Sequence, residues 1–229
     1  MVNFLRKVLL PLCLLTVATL ASTTTAQSTD SSAVNTNRPA VLVLGDSLAA
    51  GYGVDPNEAY PALLQGKIDT AGLNFTVVNG GVSGDTTAGG LRRVNWYLRR
   101  KTAVLILELG GNDGLRGVDP ATTRSNLQAI IDTAKKTYPD IKVVIAGMRM
   151  PPNLGADYTK AFENVFPEVA QTNHAALVPF LLEGVGGIPD LNQADQIHPT
   201  PEGHKIVAEN VWKVLRPVLT ESAGEPRSH

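Results

Sequence analysis

The residues best suited to do chemistry in this chain lie in four short polar clusters, three of which contain glycine, and the first cluster contains Ser47. Residues 41–44 are Val-Leu-Val-Leu, a run typical of a strand buried on both faces, and they lead directly into Gly-Asp-Ser at 45–47. A hydroxyl fixed at the end of a buried strand and open to solvent is well placed for nucleophilic attack. The same three residue types form ordinary turns, so this stretch alone is equally compatible with a turn that has no chemical role.

The other three clusters supply candidates for acid–base chemistry and for stabilising a developing charge. Residues 80–86 are Gly-Gly-Val-Ser-Gly-Asp-Thr, residues 110–113 are Gly-Gly-Asn-Asp, and residues 195–199 are Asp-Gln-Ile-His-Pro. Attack on an ester or thioester carbonyl needs a nucleophile, a base and hydrogen-bond donors for the oxyanion. The question is therefore whether the fold brings these clusters together.

The elements that must position them alternate along the chain as apolar runs and segments of helical periodicity. The predicted strands are 40–44, 75–79, 103–109, 142–147 and 176–180, and the predicted helices are 58–70, 87–100, 122–138, 158–173 and 201–219. This alternation implies a parallel sheet covered by helices on both faces. With right-handed crossovers it predicts an α/β fold, a flavodoxin-like three-layer α/β/α sandwich whose five strands have the order 2-1-3-4-5.

All four clusters follow the carboxyl end of a predicted strand. Clusters 45–47, 80–86 and 110–113 follow the first three strands, and cluster 195–199 follows the fifth strand just before the last helix. Ordinary turn residues would be divided between the two edges of the sheet, whereas ligands in open α/β sheets bind at the carboxyl edge. The shared edge therefore favours a functional site.

Length and composition limit the class of protein. The chain has 229 residues, 43% of them hydrophobic, which fits one globular domain with a buried core. Its formal net charge is −1, which argues against a general nucleic-acid or anionic-membrane binder. Nothing in the sequence demands more than a monomer, and we expect a small-molecule substrate to be the main partner.

Residues 1–26 have the layout of a secretory signal peptide. Arg6 and Lys7 precede an apolar run at 8–20, and small residues follow, with Ala21 or Ala26 as the last residue before cleavage. The run is shorter than the ~20 residues that a membrane-spanning helix needs, so we expect an exported protein, periplasmic or secreted, without a stable membrane anchor. Cys13, the only cysteine, would leave with the leader. The remaining boundaries are predicted as a flexible linker at 27–38, the folded domain at 39–220 and a disordered tail at 221–229.

The clusters together resemble the sequence blocks of the SGNH (GDSL) hydrolases. The matching blocks are Gly-Asp-Ser-Leu at 45–48, the glycine of Ser-Gly-Asp-Thr at 83–86, Gly-Gly-Asn-Asp at 110–113 and Asp-x-x-His at 195–198. The resemblance covers residues 40–218, approximately. Within the family, residues 108–117 and 148–153 are especially similar to exported bacterial arylesterases and acyl-CoA thioesterase I/lysophospholipases. It implies a serine hydrolase that needs no cofactor or metal and cleaves aryl esters, acyl thioesters or lysophospholipids through an acyl-enzyme.

Ser47, His198 and Asp195 are the predicted catalytic residues. The serine hydroxyl is too weakly acidic to attack unaided, and an imidazole changes protonation near neutral pH, so His198 is the candidate base. Asp195 lies three residues before His198 and can reach its ring to fix the tautomer, which is the role that the resemblance also assigns to it. For the oxyanion hole the resemblance implies the backbone N–H groups of Ser47 and Gly84 and the side-chain amide of Asn112.

The loops at the same edge contain apolar side chains that could line an acyl or aryl groove. Methionine adapts to varied apolar shapes, which suits a broad range of substrates. The candidate groove residues are Leu48, Leu115, Met148, Met150, Leu154 and Tyr158. A preference for acetyl groups would instead indicate a small-acyl (carbohydrate) deacetylase of the same family.

Other interpretations remain open from the sequence. Ser83 is a rival nucleophile, although its surroundings miss the Gly-x-Ser-x-Gly pattern at the last residue. A ligand-binding module without enzymatic activity is possible on the same fold. A hydrolytic metal site could be imagined from Asp46, Asp113, Asp195, His198 and His204, but it would leave the serine and the asparagine without a task.

Two further expectations concern charged residues near the clusters. Asp46 is expected to order the turn by hydrogen bonding rather than to act as an acid. A run of basic residues is expected to form mostly a solvated face of a helix, with anion binding as the less favoured alternative; its members are Arg92, Arg93, Arg99, Arg100 and Lys101.

Overall fold

Five parallel strands form one sheet in the order β2-β1-β3-β4-β5, which confirms the predicted order. The structure is a computed structural model that describes residues 38–224. The strands are β1 (Ala40–Gly45), β2 (Thr76–Gly81), β3 (Thr102–Glu108), β4 (Lys142–Ala146) and β5 (Ala176–Val178). Every residue of β1 is buried because this strand has a neighbour on each side and helices on both faces.

Two groups of helices cover the sheet. One group pairs α2 with α7, and the other pairs α3 with α5 and α5 with α6. The helices are α1 (Ser47–Ala50), α2 (Tyr60–Thr70), α3 (Thr87–Tyr97), α4 (Gly111–Leu115), α5 (Pro120–Thr137), α6 (Ala156–Asn173) and α7 (Pro201–Gly224), with 3₁₀ turns at Pro152–Leu154 and Pro189–Leu191. The sequence analysis does not predict the short helices α1 and α4. Helix α1 begins two residues after the end of β1, and α4 begins three residues after the end of β3, both at the carboxyl edge of the sheet.

Helix α5 shows how local sequence sets the longer elements. The side chain of Asp119 accepts a hydrogen bond from the N–H of Ala121, and Pro120 occupies the first turn, where its missing N–H costs nothing. The helix then buries a stripe at helical spacing in the core, beside α3 and α6. That stripe consists of Thr123, Leu127, Ile130, Ile131 and Ala134.

The register of the central strands aligns the ends that precede three of the clusters. Gly45 at the end of β1 is level with Gly81 of β2 and with Glu108 of β3. The pairing extends one step further, since the N–H of Val82 donates to the carbonyl of Gly45 at 3.1 Å. Residues 46–47, 82–86 and 109–113 therefore leave the sheet side by side.

The domain boundaries differ slightly from the predicted ones. Arg38, placed in the linker, donates to Asp69 at 2.9 Å and to the carbonyl of Leu73 at 3.0 Å, so the anchored chain begins one residue earlier than predicted. The predicted tail from Glu221 is wrong for its first four residues, because α7 continues to Gly224 and the Ser222 hydroxyl donates to the carbonyl of Val218. The signal peptide, the rest of the linker and residues 225–229 lie outside the described residues. Among residues 38–224, the helices are too short or too polar to span a bilayer.

Candidate active site

Ser47 is the first residue of the single helical turn that follows β1. The Asp46 side chain caps this turn by accepting the N–H of Leu48 at 3.0 Å, and Gly51 closes it in the left-handed conformation, with φ of 74°. Only a residue without Cβ adopts that conformation freely. The two caps fix the backbone on both sides of Ser47, which stays half-buried.

A continuous line of contacts joins Ser47 to His198 and His198 to Asp195. His198 Nε2 lies 2.9 Å from Ser47 Oγ, and His198 Nδ1 lies 2.6 Å from Asp195 Oδ2. The structure thus brings together three side chains that the chain separates by up to 151 residues. In this arrangement the imidazole is within reach of the hydroxyl proton while the carboxylate holds the other ring nitrogen.

The loop that carries His198 is built around Asp195. Its Oδ1 accepts the N–H groups of Ile197 at 2.9 Å and of His198 at 3.0 Å, so the carboxylate orders the loop and orients the ring. These backbone bonds, together with the bond to the imidazole, lower the pKa of Asp195 to about 2. Asp195 is therefore an anion near neutral pH.

Gln193 and Tyr52 connect this loop to the segment after Ser47. The Gln193 amide donates to the carbonyl of Tyr52 at 2.7 Å and to the carbonyl of Pro199 at 3.0 Å. The ring of Tyr52 packs beside the imidazole of His198, with ring centroids 4.6 Å apart. The two loops consequently hold each other, which keeps the base above the nucleophile.

Of the other residues predicted for the oxyanion hole, Gly84 lies in the loop after β2 and Asn112 lies in the short helix α4. Gly84 has a φ of +77°, and a Cβ built there would meet only Arg116 at 3.8 Å, so the backbone conformation rather than lack of space requires glycine. The amide of Asn112 donates one of its two N–H bonds to Asp46 Oδ2 at 3.1 Å, which leaves a second N–H. Within residues 38–224 the backbone N–H groups of Ser47 and Gly84 have no protein acceptor.

Arg93 does not belong to a solvated face, contrary to the prediction. Its Nε contacts Asp85 Oδ2 at 2.6 Å, and its other nitrogens donate to the carbonyls of Gly80 and Gly45. The guanidinium therefore ties the loop that carries Gly84 to the end of β1. Arg92, Arg99 and Lys101 are exposed as expected, and Arg100 is half-buried.

Glu108 is a residue near the site that sequence reasoning missed. It is completely buried, and its Oε2 accepts the N–H of Asp46 at 3.2 Å. A signal was present, since Glu108 is the one charged residue in the otherwise apolar segment 103–109. A carboxyl is rarely buried without a partner, so its place in that segment indicates a specific contact.

Two of the proposed groove residues are almost completely buried. Leu48 and Met148 are only 5% and 6% exposed, because both side chains face the core beneath the loops. Tyr158 is half-buried, and its hydroxyl donates to the carbonyl of Val118 at 2.9 Å. Leu115 is 48% exposed, while Met150 and Leu154 are half-buried, so these three remain available at the edge.

Two of the side chains considered for a metal site make hydrogen bonds to other parts of the protein instead. Asp113 accepts both the N–H and the hydroxyl of Thr87, and His204 is buried with its Nδ1 3.3 Å from the N–H of Tyr60. Over the described range 38–224, no three histidine, cysteine or acidic side chains form a group that could hold a metal ion.

Comparison with known proteins shows which family this chain resembles over most of its length. The GDSL-like lipase/acylhydrolase family matches residues 43–206. Esterase TesA of Pseudomonas aeruginosa is 44% identical over 180 residues, which is 78% of this chain and 89% of that protein. The crystal structure of TesA superposes with a TM-score of 0.75 and 44% identity, and the match covers 78% of this chain and 99% of that one.

Two further relatives cover similar shares. The arylesterase of Vibrio mimicus is 41% identical over 176 residues, or 76% of this chain and 87% of the relative. Thioesterase 1/protease 1/lysophospholipase L1 of Escherichia coli is 35% identical over 184 residues, or 80% and 86% of the two chains. The family match at residues 43–206 includes all four clusters at the carboxyl edge.

Proposed function

Since the chain belongs to the GDSL-like lipase/acylhydrolase family and is an ester hydrolase, we propose that it cleaves carboxylic esters and thioesters through an acyl group carried on Ser47. The observation that carries this proposal is the line of contacts from Asp195 through His198 to Ser47, at 2.6 and 2.9 Å. Both distances are short enough for proton transfer to begin without rearrangement of the side chains.

In the first half of the reaction Ser47 Oγ attacks the carbonyl carbon while its proton passes to His198 Nε2. The carbonyl oxygen becomes an oxyanion, which the N–H groups of Ser47 and Gly84 and the free N–H of the Asn112 amide stabilise. Asp195 stabilises the imidazolium that forms. The bond to the leaving oxygen or sulfur then breaks, and His198 gives its proton to the leaving group.

In the second half a water molecule takes the place of the leaving group. His198 removes a proton from the water as its oxygen attacks the acyl carbon, which forms a second oxyanion in the same set of donors. Ser47 Oγ departs with the proton from His198, and the carboxylic acid is released. The enzyme returns to its initial state, so no cofactor enters the balance.

Asn112→Ala tests the proposed oxyanion donor. Losing one such donor typically costs about 2.7–4 kcal/mol, so we expect kcat to fall roughly 10²- to 10³-fold with little change in KM. Initial rates on p-nitrophenyl butyrate give both constants. The matched control is Asn126→Ala, which removes an amide that donates to the Thr87 hydroxyl at 3.0 Å. An Asn112→Ala enzyme with the kcat of the control would remove Asn112 from the oxyanion hole.

For substrates we propose aryl esters, acyl thioesters and lysophospholipids. The names of the relatives support these classes, and so do exposed apolar side chains beside the proposed catalytic groups. Tyr52 is in contact with the His198 ring, Ile197 precedes His198, and Leu115 ends α4. All three are more than a third exposed, so they offer an apolar surface to an acyl chain or an aryl ring.

A substrate panel should show this breadth. We expect p-nitrophenyl esters from acetate to laurate to be hydrolysed, together with an acyl-CoA and a lysophosphatidylcholine, because an open apolar surface accommodates chains of different length. The measurement is kcat/KM for each substrate with the same enzyme preparation. Activity confined to acetyl esters would favour the small-acyl, carbohydrate-type deacetylase, and no turnover of any ester would favour a binding module.

We also propose that the protein is exported and acts as a monomer. The charged start and apolar run of residues 1–26 support cleavage after Ala21 or Ala26. Mass spectrometry of the protein purified from an expressing Gram-negative host should give one of these two amino termini in the periplasmic or extracellular fraction. Full-length protein confined to the cytoplasm would contradict export, and light scattering would report any oligomer.

A further inference from the structure

Two buried carboxyl groups lie directly beneath the nucleophile. Asp46 is 2% exposed and Glu108 is fully buried. Because Gly45 is level with Glu108 in the sheet, the glutamate lies under the turn that begins at Asp46. A Cβ at position 45 would stand 2.2 Å from Glu108 Oε2, so the glycine before Asp46 makes room for this carboxyl.

The two carboxylate oxygens of Asp46 accept hydrogen bonds from two different parts of the proposed active site. Its Oδ1 accepts the N–H of Leu48, which caps the turn that carries Ser47, and its Oδ2 accepts the amide of Asn112. A rotation of this one carboxylate would move the nucleophile and an oxyanion donor together. The orientation of Asp46 therefore matters to both.

We infer that Glu108 is a positioning residue that holds Asp46, and through it Ser47 and Asn112, in the geometry needed for attack. This inference rests on the proposed function and extends it to a residue that would never touch substrate. Glu108 acts from below the turn, by accepting the Asp46 N–H at 3.2 Å.

The charges of the pair are consistent with this role. Burial raises the pKa of Glu108 well above its usual range, and the charge of Asp46 raises it further. Burial also raises the pKa of Asp46, to about 6, against the opposing effects of hydrogen bonds from Leu48, Glu108 and Asn112. Two carboxylates cannot both ionise in so little solvent, so the proton resides on Glu108 and Asp46 is the acceptor.

A purely structural explanation does not account for Glu108. The neighbouring residues of β3 stabilise the core by burying apolar area, whereas Glu108 Oε1 lacks a well-formed hydrogen bond within residues 38–224. A buried polar atom without a partner lowers stability. The hydroxyl of Tyr60, which is close enough to feel the charge of both carboxyls, is likewise buried without a partner in the described part of the chain. The carboxyl at 108 is therefore better explained by its contacts to Asp46 than by packing.

The test compares Glu108→Gln with Glu108→Leu. Glutamine is neutral, has nearly the same shape and can both accept the Asp46 N–H and donate to its carboxylate, so we expect kcat within about threefold of the wild type. Leucine fills the space but makes neither bond, and a small misplacement of reacting groups costs up to about 10²-fold. We therefore expect kcat to fall roughly 10- to 100-fold, an unchanged KM, and a Tm equal to or above that of the wild type.

Two more variants complete the design. Asp46→Asn should lower kcat as Glu108→Leu does, because an amide offers one acceptor oxygen to the two donors Leu48 and Asn112. Ile145→Val, in the core of β4, is the control for a general loss of stability and should lower Tm without changing kcat. If Glu108→Leu kept the wild-type kcat, if Glu108→Gln lost as much as Glu108→Leu, or if the loss of kcat simply followed Tm, the inference would be overturned.

The rate of labelling by a fluorophosphonate separates this inference from the proposed function. The reaction needs only an activated serine and its oxyanion donors, so it does not depend on the choice of substrate. A wild type that is not labelled would overturn the proposed function. A wild type that is labelled while Glu108→Leu is labelled at the same rate would overturn the positioning role alone. If the leucine variant does not fold, Glu108→Met, which also has no group that can accept the Asp46 N–H, replaces it in the same comparison.

Discussion

Ser47→Ala is expected to remove ester hydrolysis almost entirely, with kcat reduced by about 10⁶-fold. The alanine leaves no oxygen to form the acyl bond, while the remaining donors can still bind the substrate and stabilise attack by water. A residual rate of about 10³- to 10⁴-fold over the uncatalysed reaction is therefore expected. The measurement is kcat on p-nitrophenyl butyrate at high enzyme concentration, together with covalent labelling by a fluorophosphonate.

The same variant should retain its fold. Ser47 Oγ makes one side-chain contact in the described chain, to His198, and Ser47 is half-buried, so its loss leaves no buried polar group without a partner on the core side. We expect circular dichroism and Tm close to the wild type. Ser83→Ala is the matched control, because Ser83 is exposed on the neighbouring loop and should remain fully active and labelled. Labelling that persists in Ser47→Ala and disappears in Ser83→Ala would transfer the nucleophile to Ser83.

The fold could be predicted from the sequence because its strands are apolar almost throughout and its helices are not. Segments such as 103–109 and 142–147 have no polar alternation, which leaves few positions for them other than the interior of a covered parallel sheet. The short helices α1 and α4 could not be predicted in this way, because a helix of four or five residues has no periodicity to detect. The end of α7 depends on the helical continuation of polar residues after Thr220, where no apolar pattern marks a boundary.

The proposed catalytic residues could be found because each lies in a polar cluster after a strand, and the strand order places those clusters on one edge. Residues that act through the backbone gave a weaker signal. Arg93 contacts two main-chain carbonyls, and sequence periodicity does not show which carbonyls a helix will approach. Leu48 and Met148 were assigned to the groove from loop position alone, which does not say whether a side chain faces the core or the solvent.

His198→Ala should reduce kcat about as much as Ser47→Ala, on the order of 10⁶-fold, because a hydroxyl without a base does not attack at neutral pH. Asp195→Asn should cost less, about 10⁴-fold, since an amide cannot hold the imidazole in the same tautomer. The kcat of each variant is measured from initial rates across a range of pH. A wild-type-like kcat in His198→Ala would show that another group takes the proton, and His204→Ala is the control, as that ring is buried beside Tyr60.

The pH dependence of the hydrolysis rate identifies which group acts as the base. Burial lowers the pKa of His204 to about 4, and hydrogen bonding lowers that of Asp195 to about 2, so neither changes protonation near neutral pH. The base has to start neutral, so the wild-type rate should fall as pH decreases, whereas the small residual rate of His198→Ala should not show that fall. If the three side chains act as one unit, Ser47→Ala combined with His198→Ala should be no slower than either single variant. A double variant whose losses multiplied would instead mean that the hydroxyl and the imidazole contribute separately, which is incompatible with proton transfer between them as the basis of the activity.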